Sequence, residues 1–222
     1  MNSNKFVALI PCAGVGSRFG GDVPKQYVKL INDRTILENT LTAFINHQDI
    51  SVIVVVVGSN DTYIDAISDR INSDKLLVLR VGGATRFDTV KNGLNHLSLL
   101  SSDWVLVHDA VRCFISQELI DRLITQLKDD EIGGILAIPA TDTIKYVDNG
   151  IIQKTIDREY VYLAQTPQMF RYGVLKESIN QIDSNYITDE ASILEACGKQ
   201  VKIVLGASSN IKITNSSDIF IR

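Results

Sequence analysis

The sequence predicts a doubly wound α/β layer structure around a mostly parallel sheet, a Rossmann-like three-layer architecture. Three observations carry that prediction. Short β-branched runs alternate with amphipathic segments, the runs are apolar on both faces, and several helical segments bring their own start and stop signals. Strands are expected at 6–11 (FVALIP), 52–57 (VIVVVV), 76–81 (LLVLRV), 104–108 (WVLVH), 134–139 (GILAIP) and 201–205 (VKIVL).

Helices are expected between them. TILENTLTAFINH begins with Thr35 and carries Glu38 three residues later, the spacing of a capping box. Residues 61–72, 86–100 and 116–128 space their apolar positions by three and four. TDEASILEACG offers Thr188 as N-cap, Asp189 and Glu190 in the first turn and Gly198 as the stop. Right-handed crossovers then bring the loops that follow the strands to one edge of the sheet, where such folds bind ligands.

One segment breaks the alternation. DTIKYVDNGIIQKTIDR, residues 142–158, has two short strand-like runs around Asp148-Asn149-Gly150, a hairpin signal, and little apolar surface of its own. It reads as a projecting arm that packs on a second subunit, or as a solvated surface hairpin. No repeat, linker or low-complexity segment divides the 222 residues, so one domain is expected over 1–222.

The bulk numbers narrow the function. A net charge of −4 argues against a nucleic-acid or membrane-surface binder, so any basic site must be local. Cys12, Cys113 and Cys197 are isolated, which gives neither a metal pattern nor a disulfide framework and fits a reducing compartment. No targeting segment is visible, and VIVVVVG is far too short to span a bilayer, so a cytoplasmic location is expected.

The richest stretch is PCAGVGSRFGGDVPKQY, where the first strand runs into a glycine-rich turn. It fails the dinucleotide fingerprint, because Gly14 and Gly16 fit but Phe19 stands at the third glycine position. It also fails the Walker pattern, since Gly21 is followed by Asp22. Even so, Gly14 and Gly16 let backbone N–H groups face an anion closely, and Arg18 and Lys25 add two positive charges.

The same stretch resembles the opening motif of the 2-C-methyl-D-erythritol 4-phosphate cytidylyltransferases. Further stretches similar to that family follow in order: GGATRFDTVKNGL (82–94), VHDAVRCF (107–114), ATDTIK (140–145), TIDREYVYLAQTPQMF (155–170), ITDEASILEACG (187–198) and NIKIT (210–214). The resemblance implies a nucleotidyltransferase fold with an arm at 140–158 that interlocks two subunits of a homodimer. It implies transfer of a cytidylyl group from CTP to methylerythritol phosphate, with Mg²⁺, on the route to isoprenoid precursors. The chemistry so implied is attack by one anion on another, so positioning and fixed positive charge are expected to do most of the catalysis, without a covalent nucleophile.

The resemblance also assigns residues. Arg18 and Lys25 would contact the triphosphate, and Lys212 in NIKIT would close on the α-phosphate from the other side. Ala13, Gly14, Gly16 and Ser17 would line the nucleotide, with the cytosine near Gly82, Gly83 and Thr89, while Arg86 holds that loop. Asp109 would hold the acceptor's hydroxyls or help bind Mg²⁺, an ion carried mainly on triphosphate oxygens. Arg158 would reach the neighbouring subunit's site and grip the acceptor phosphate. Arg112, Thr143, Thr166 and Thr188 complete the acceptor set. His108 is expected to be structural, His47 and His96 to lie on helix surfaces, and Asp189 and Glu190 to serve the helix dipole. The rival readings are a cytidylyltransferase for another polyol phosphate such as ribitol 5-phosphate, a silent nucleotide-binding subunit, and a dinucleotide oxidoreductase, which the failed fingerprint weakens.

Overall fold

The structure, a computed structural model, describes residues 4–14, 23–183 and 187–221. Gly16, Ser17 and Arg18 lie outside the described residues.

Nine strands form among the described residues: β1 (Phe6–Pro11), β2 (Ile50–Val56), β3 (Leu76–Leu79), β4 (Trp104–Val107), β5 (Gly133–Pro139), β6 (Ile144–Asp148), β7 (Ile151–Ile156), β8 (Tyr162–Arg171) and β9 (Lys202–Leu205). Seven of them make one sheet in the order β3-β2-β1-β4-β8-β5-β9, and β6 and β7 pair separately. All neighbours in the large sheet are parallel except those of β8, which runs antiparallel to both β4 and β5.

Six α-helices among the described residues cover the sheet: α1 (Ile36–Ile45), α2 (Ile64–Ile71), α3 (Arg86–His96), α4 (Gln117–Leu127), α5 (Tyr172–Gln181) and α6 (Glu190–Ala196). Alternate strand residues feed the two sides. Ala8 and Ile10 of β1 join Leu37, Leu41 and Phe44 of α1 and Leu123 of α4 in one core. Val7 and Leu9 join Val90 and Leu94 of α3, Leu175 of α5 and Leu194 of α6 in the other. No helix among the described residues is long and apolar enough to cross a membrane.

The expected central strands are buried on both faces, but the two edges differ. In β3 Leu77 is exposed, and in β9 only Val204 is buried, because each has a neighbour on one side alone. The sequence reading also missed β8 and α5. Gln165, Thr166, Pro167 and Gln168 interrupt the β8 pattern with polar groups and a missing N–H, and the β5–β8 register shifts between Ile135 and Ala137 at this point.

The local signals held where their chemistry was complete. Thr35 and Glu38 form the capping box of α1. Asn149 (φ 48°) and Gly150 (φ 77°) turn the β6–β7 hairpin in two residues, as a turn with two left-handed positions requires. Gly198 ends α6 at φ 70°. The cap of α6 is different from expectation: Asp189, in place of Thr188, accepts from Ser192 N at 3.0 Å, and Ser192 bonds back. His47 is also corrected. It lies beyond the end of α1, is buried, and its Nε2 sits 3.0 Å from Asp121 of α4. His96 does lie on an exposed helix end, bonded to the Asn92 carbonyl.

Candidate active site

The chain travels outward from β1 to β2 and β3, then returns to the other side of β1 as β4. That reversal opens a crevice beyond the C-terminal ends of β1 and β4, the place where open α/β sheets bind ligands. Two adjoining hollows occupy it. The first is lined by Ala13 and Gly14 after β1, Lys25, Gly83 and Thr89, and Asp109 after β4. The second lies between Arg112, Thr166, Gln168 and Thr188. Arg86, Asp109 and Lys212 border both.

Asp109 is the hub of this seam. Its Oδ1 accepts from Arg86 Nε at 3.0 Å, and its Oδ2 faces Lys212 Nζ at 2.9 Å and Arg112 Nε at 3.5 Å. Burial alone would raise its pKa, but the charges of Arg86 and Lys212 outweigh burial and hold the carboxyl well below the usual range. The chemistry of this donor set does not fit a resident metal, since each carboxylate oxygen already faces a cation. The structure thus supports Asp109 as a charge-balancing anchor and not as a metal ligand. Elsewhere among the described residues, His47, Asp49 and Asp121 form a possible ligand trio. It precedes β2, at the opposite edge of the sheet, with Lys75 Nζ on the His47 carbonyl.

Lys25 comes from near the start of the chain and Lys212 from near its end. The fold joins them, because Lys25 Nζ donates to the carbonyl of Ile213 at 3.0 Å. Gly82 lies behind the first hollow, where a Cβ would collide with Ala13 and the Val57 carbonyl. Gly83 N donates to Thr89 Oγ1 at 3.1 Å, and Thr89 Oγ1 donates to the Thr85 carbonyl at 2.8 Å. The Thr89 hydroxyl has therefore spent its proton on the loop and can only accept from a ligand, which narrows the expectation that it could do either.

Thr166 belongs to a buried chain of bonds. His108 Nε2 lies 3.1 Å from the Arg112 carbonyl, which can only accept, so that nitrogen carries the proton. His108 Nδ1 is then an acceptor for Thr166 Oγ1 at 3.0 Å, and Thr166 Oγ1 in turn accepts Asp109 N at 3.0 Å. Burial pushes the His108 pKa down to about 4, so the ring is neutral and structural, as the sequence implied.

Thr143 and Arg158 stand apart from both hollows of their own chain. Both are exposed at the base of the arm, where Arg158 Nη1 bonds the Thr141 carbonyl. Glu190 does more than serve a helix dipole. It is buried and receives Arg86 through two bonds, Nη1 at 2.6 Å and Nη2 at 3.0 Å.

Several contributors had no assigned role in the sequence. Gln165 donates to the Ala207 carbonyl at 2.8 Å, and Gln168 donates to Asp189 Oδ2 at 2.8 Å. Asn210, wholly buried, donates through its side chain to the Thr166 carbonyl at 2.8 Å, while its backbone carbonyl takes Arg112 Nη1 at 2.7 Å. These amides tie the segment carrying Lys212 and the start of α6 to β8. Their available signal was polar residues crowded around Pro167 and in NIK, where a surface loop reads the same way.

An open, mostly parallel sheet with a cationic, glycine-edged crevice at its switch point defines an α/β enzyme of the phosphate-handling, nucleotide-binding class. The family model for 2-C-methyl-D-erythritol 4-phosphate cytidylyltransferase (IspD) matches residues 6–222. The chain belongs to that family. The enzyme of this name from Neisseria meningitidis serogroup C is 42% identical over 221 residues, covering 98% of this chain and 95% of that one. Its counterpart from Laribacter hongkongensis is 41% identical over 217 residues, covering 97% and 94%. A crystal structure of 4-diphosphocytidyl-2C-methyl-D-erythritol synthase matches with a TM-score of 0.88 at 37% identity, covering 100% of this chain and 97% of that one. The Francisella tularensis enzyme matches with a TM-score of 0.83 at 40% identity, covering 98% and 97%.

Proposed function

We propose that this protein transfers the cytidylyl group of CTP to 2-C-methyl-D-erythritol 4-phosphate, giving CDP-methylerythritol and pyrophosphate for isoprenoid precursor synthesis. The observation that carries this reading is the pair of adjoining hollows that meet at Asp109 and Lys212. The first takes CTP, with the base against the Gly83–Thr89 turn and the triphosphate toward Lys25. The second takes the acceptor, with its phosphate beside Arg112, Thr166 and Thr188.

A phosphate oxygen of the acceptor attacks the α-phosphorus of CTP in line. The new P–O bond forms as the bond to the bridging α,β-oxygen breaks, and pyrophosphate leaves with that electron pair. The reactants repel each other, and the transition state spreads negative charge over the equatorial oxygens. Lys25 and Lys212 meet that charge from two sides, with Arg18 as the third cation by resemblance, at no cost of reorganisation during the reaction. Glu190 and Asp109 hold Arg86 so that it shapes the wall and does not collapse on the triphosphate. CTP enters as its Mg²⁺ complex, with the ion held by triphosphate oxygens as part of the substrate.

The reading treats residues 1–222 as one domain whose arm, 140–158, clasps a second copy. Contrary to the expectation of little apolar surface there, Tyr146, Val147, Ile151 and Ile152 are exposed on that arm, a surface suited to burial in a homodimer. Arg158 would then serve the partner's acceptor hollow. A cytoplasmic location fits the three free thiols.

Pyrophosphate release from CTP, Mg²⁺ and methylerythritol phosphate, run beside ribitol 5-phosphate, tests the proposal. Turnover favouring methylerythritol phosphate is expected. No release, or a preference for ribitol phosphate, would overturn it.

A further inference from the structure

A short 3-10 turn, Lys25–Tyr27, follows Pro24 at the wall of the first hollow. Such a turn has three residues per revolution, so three consecutive side chains leave it about 120° apart. Each reaches a different part of the site. Lys25 goes to the Ile213 carbonyl beside Lys212. Tyr27 donates to Asp61 Oδ2 at 2.6 Å and stacks on Tyr63, with ring centres 4.9 Å apart, which anchors the turn to the start of α2. Gln26 reaches back to the exit of β1.

The Gln26 contacts have a specific chemistry. Its side chain is buried, and Nε2 donates to the carbonyls of Cys12 at 3.2 Å and Gly14 at 2.9 Å. Both partners are carbonyl oxygens, so the amide can be oriented only with its nitrogen toward them, and both its hydrogens are used. A trans peptide places its C=O and N–H on opposite edges of one plane. Holding the Cys12 carbonyl against Gln26 therefore turns the Ala13 N–H to the other side. The same two bonds set the spacing between the β1 exit loop and the turn that carries Lys25. No other residue type of this size does this. Glutamate would set a carboxylate against two carbonyl oxygens, methionine would fill the space without a donor, and asparagine is one methylene short.

We propose that Gln26 is a positioning residue for the nucleotide: its amide orients the backbone of the β1 exit loop toward CTP and fixes that loop at a set distance from Lys25. The inference rests on the cytidylyl-transfer reading and deepens it. Because the strut is complete before any substrate arrives, its loss falls on nucleotide binding and spares the acceptor hollow, which Gln26 does not line.

The experiment compares Gln26→Glu and Gln26→Met with the parent enzyme. Folding is checked by thermal melting, CTP·Mg²⁺ affinity by calorimetry without acceptor, and KM by steady-state assay for each substrate. The expected result is a rise in CTP Kd and KM on the order of tenfold or more in both variants, with the larger loss for glutamate. The acceptor KM should stay within about twofold, the split that separates a nucleotide-positioning role from general loosening. CTP affinity within about twofold of the parent in either folded variant, or equal weakening for both substrates, overturns the proposal. Absence of pyrophosphate release by the parent enzyme would instead sink the reading of function, and the calorimetric comparison would still decide the role of Gln26.

Discussion

Lys212 Nζ and Asp109 Oδ2 lie 2.9 Å apart, joining the C-terminal NIK segment to the end of β4. The Asp109 side chain is buried while the Lys212 side chain is 41% exposed at the seam of the two hollows. Asp109 thus holds the lysine at the seam where the two reactants meet, as a compact point charge set in place before they arrive.

Removing that charge should slow chemistry more than binding. Lys212→Ala and Lys25→Ala are each expected to lower kcat by ~100-fold or more, in line with losing one preorganised electrostatic contact. Single-turnover measurement at saturating CTP gives the answer, and near-parental rates in either variant would remove these residues from the mechanism.

Glu190→Gln should cost stability and activity together. The substitution leaves Arg86 with Asp109 as its only carboxylate among the bonds seen here. A loss on the order of 2 kcal/mol is expected by urea unfolding, the scale of a charge-assisted pair broken from its buried side. An unchanged unfolding midpoint would mean that the two-pronged contact is energetically idle.

His108 should make stability fall in mild acid. Its folded pKa, about 4, lies below the ordinary histidine value of 6.5, so between these values the unfolded chain binds a proton that the folded protein refuses. Stability therefore rises with pH across that window, by about 1.4 kcal/mol per unit from this group and about 3 kcal/mol in all. Asp109 acts lower. Its pKa is depressed on folding, so its contribution is intact above the ordinary carboxylate range and fades only as pH drops below about 4. Urea unfolding at pH 7.5, 6.5, 5.5 and 4.5, chosen to bracket the ~6.5 of a free histidine, should show the slope, and His108→Gln should abolish it. The same slope in the variant would place its origin elsewhere.

Part of this site was legible from residue chemistry, the glycine turn with its nearby cations and an acid at a strand end, while the role of Lys212 came from the family resemblance, since a lone lysine in a strand-like run reads as solvated. Gly14, Lys25, Asp109 and Lys212 meet in one crevice. What could not be read was the scaffold between them. Gln26, Gln165, Gln168 and Asn210 are polar residues whose burial depends on acceptors distant in sequence, three backbone carbonyls and the Asp189 carboxylate. Thr188 was misread as a cap because Asp189, one residue on, competes for the same helix end. β8 was missed because an antiparallel strand carrying a proline has neither the periodicity nor the β-branched content of its neighbours.

The arm can be tested through the two residues that one chain keeps apart. Lys25 lines the first hollow, whereas Arg158 and Thr143 stand outside both hollows of their own chain. If the arm serves the partner, each active site takes Lys25 from one copy and Arg158 from the other. Lys25→Ala and Arg158→Ala homodimers are then both impaired, the second mainly through a raised acceptor KM. Mixing them after unfolding and refolding makes about half the dimers heterodimeric, each with one site whose two residues are intact, so recovery should approach about a quarter of parental activity. Recovery that appears only on subunit exchange would establish a shared site, because neither variant alone can supply it. Failure to recover, with exchange verified by mass, would confine Arg158 to its own chain and leave the acceptor phosphate to Arg112, Thr166 and Thr188.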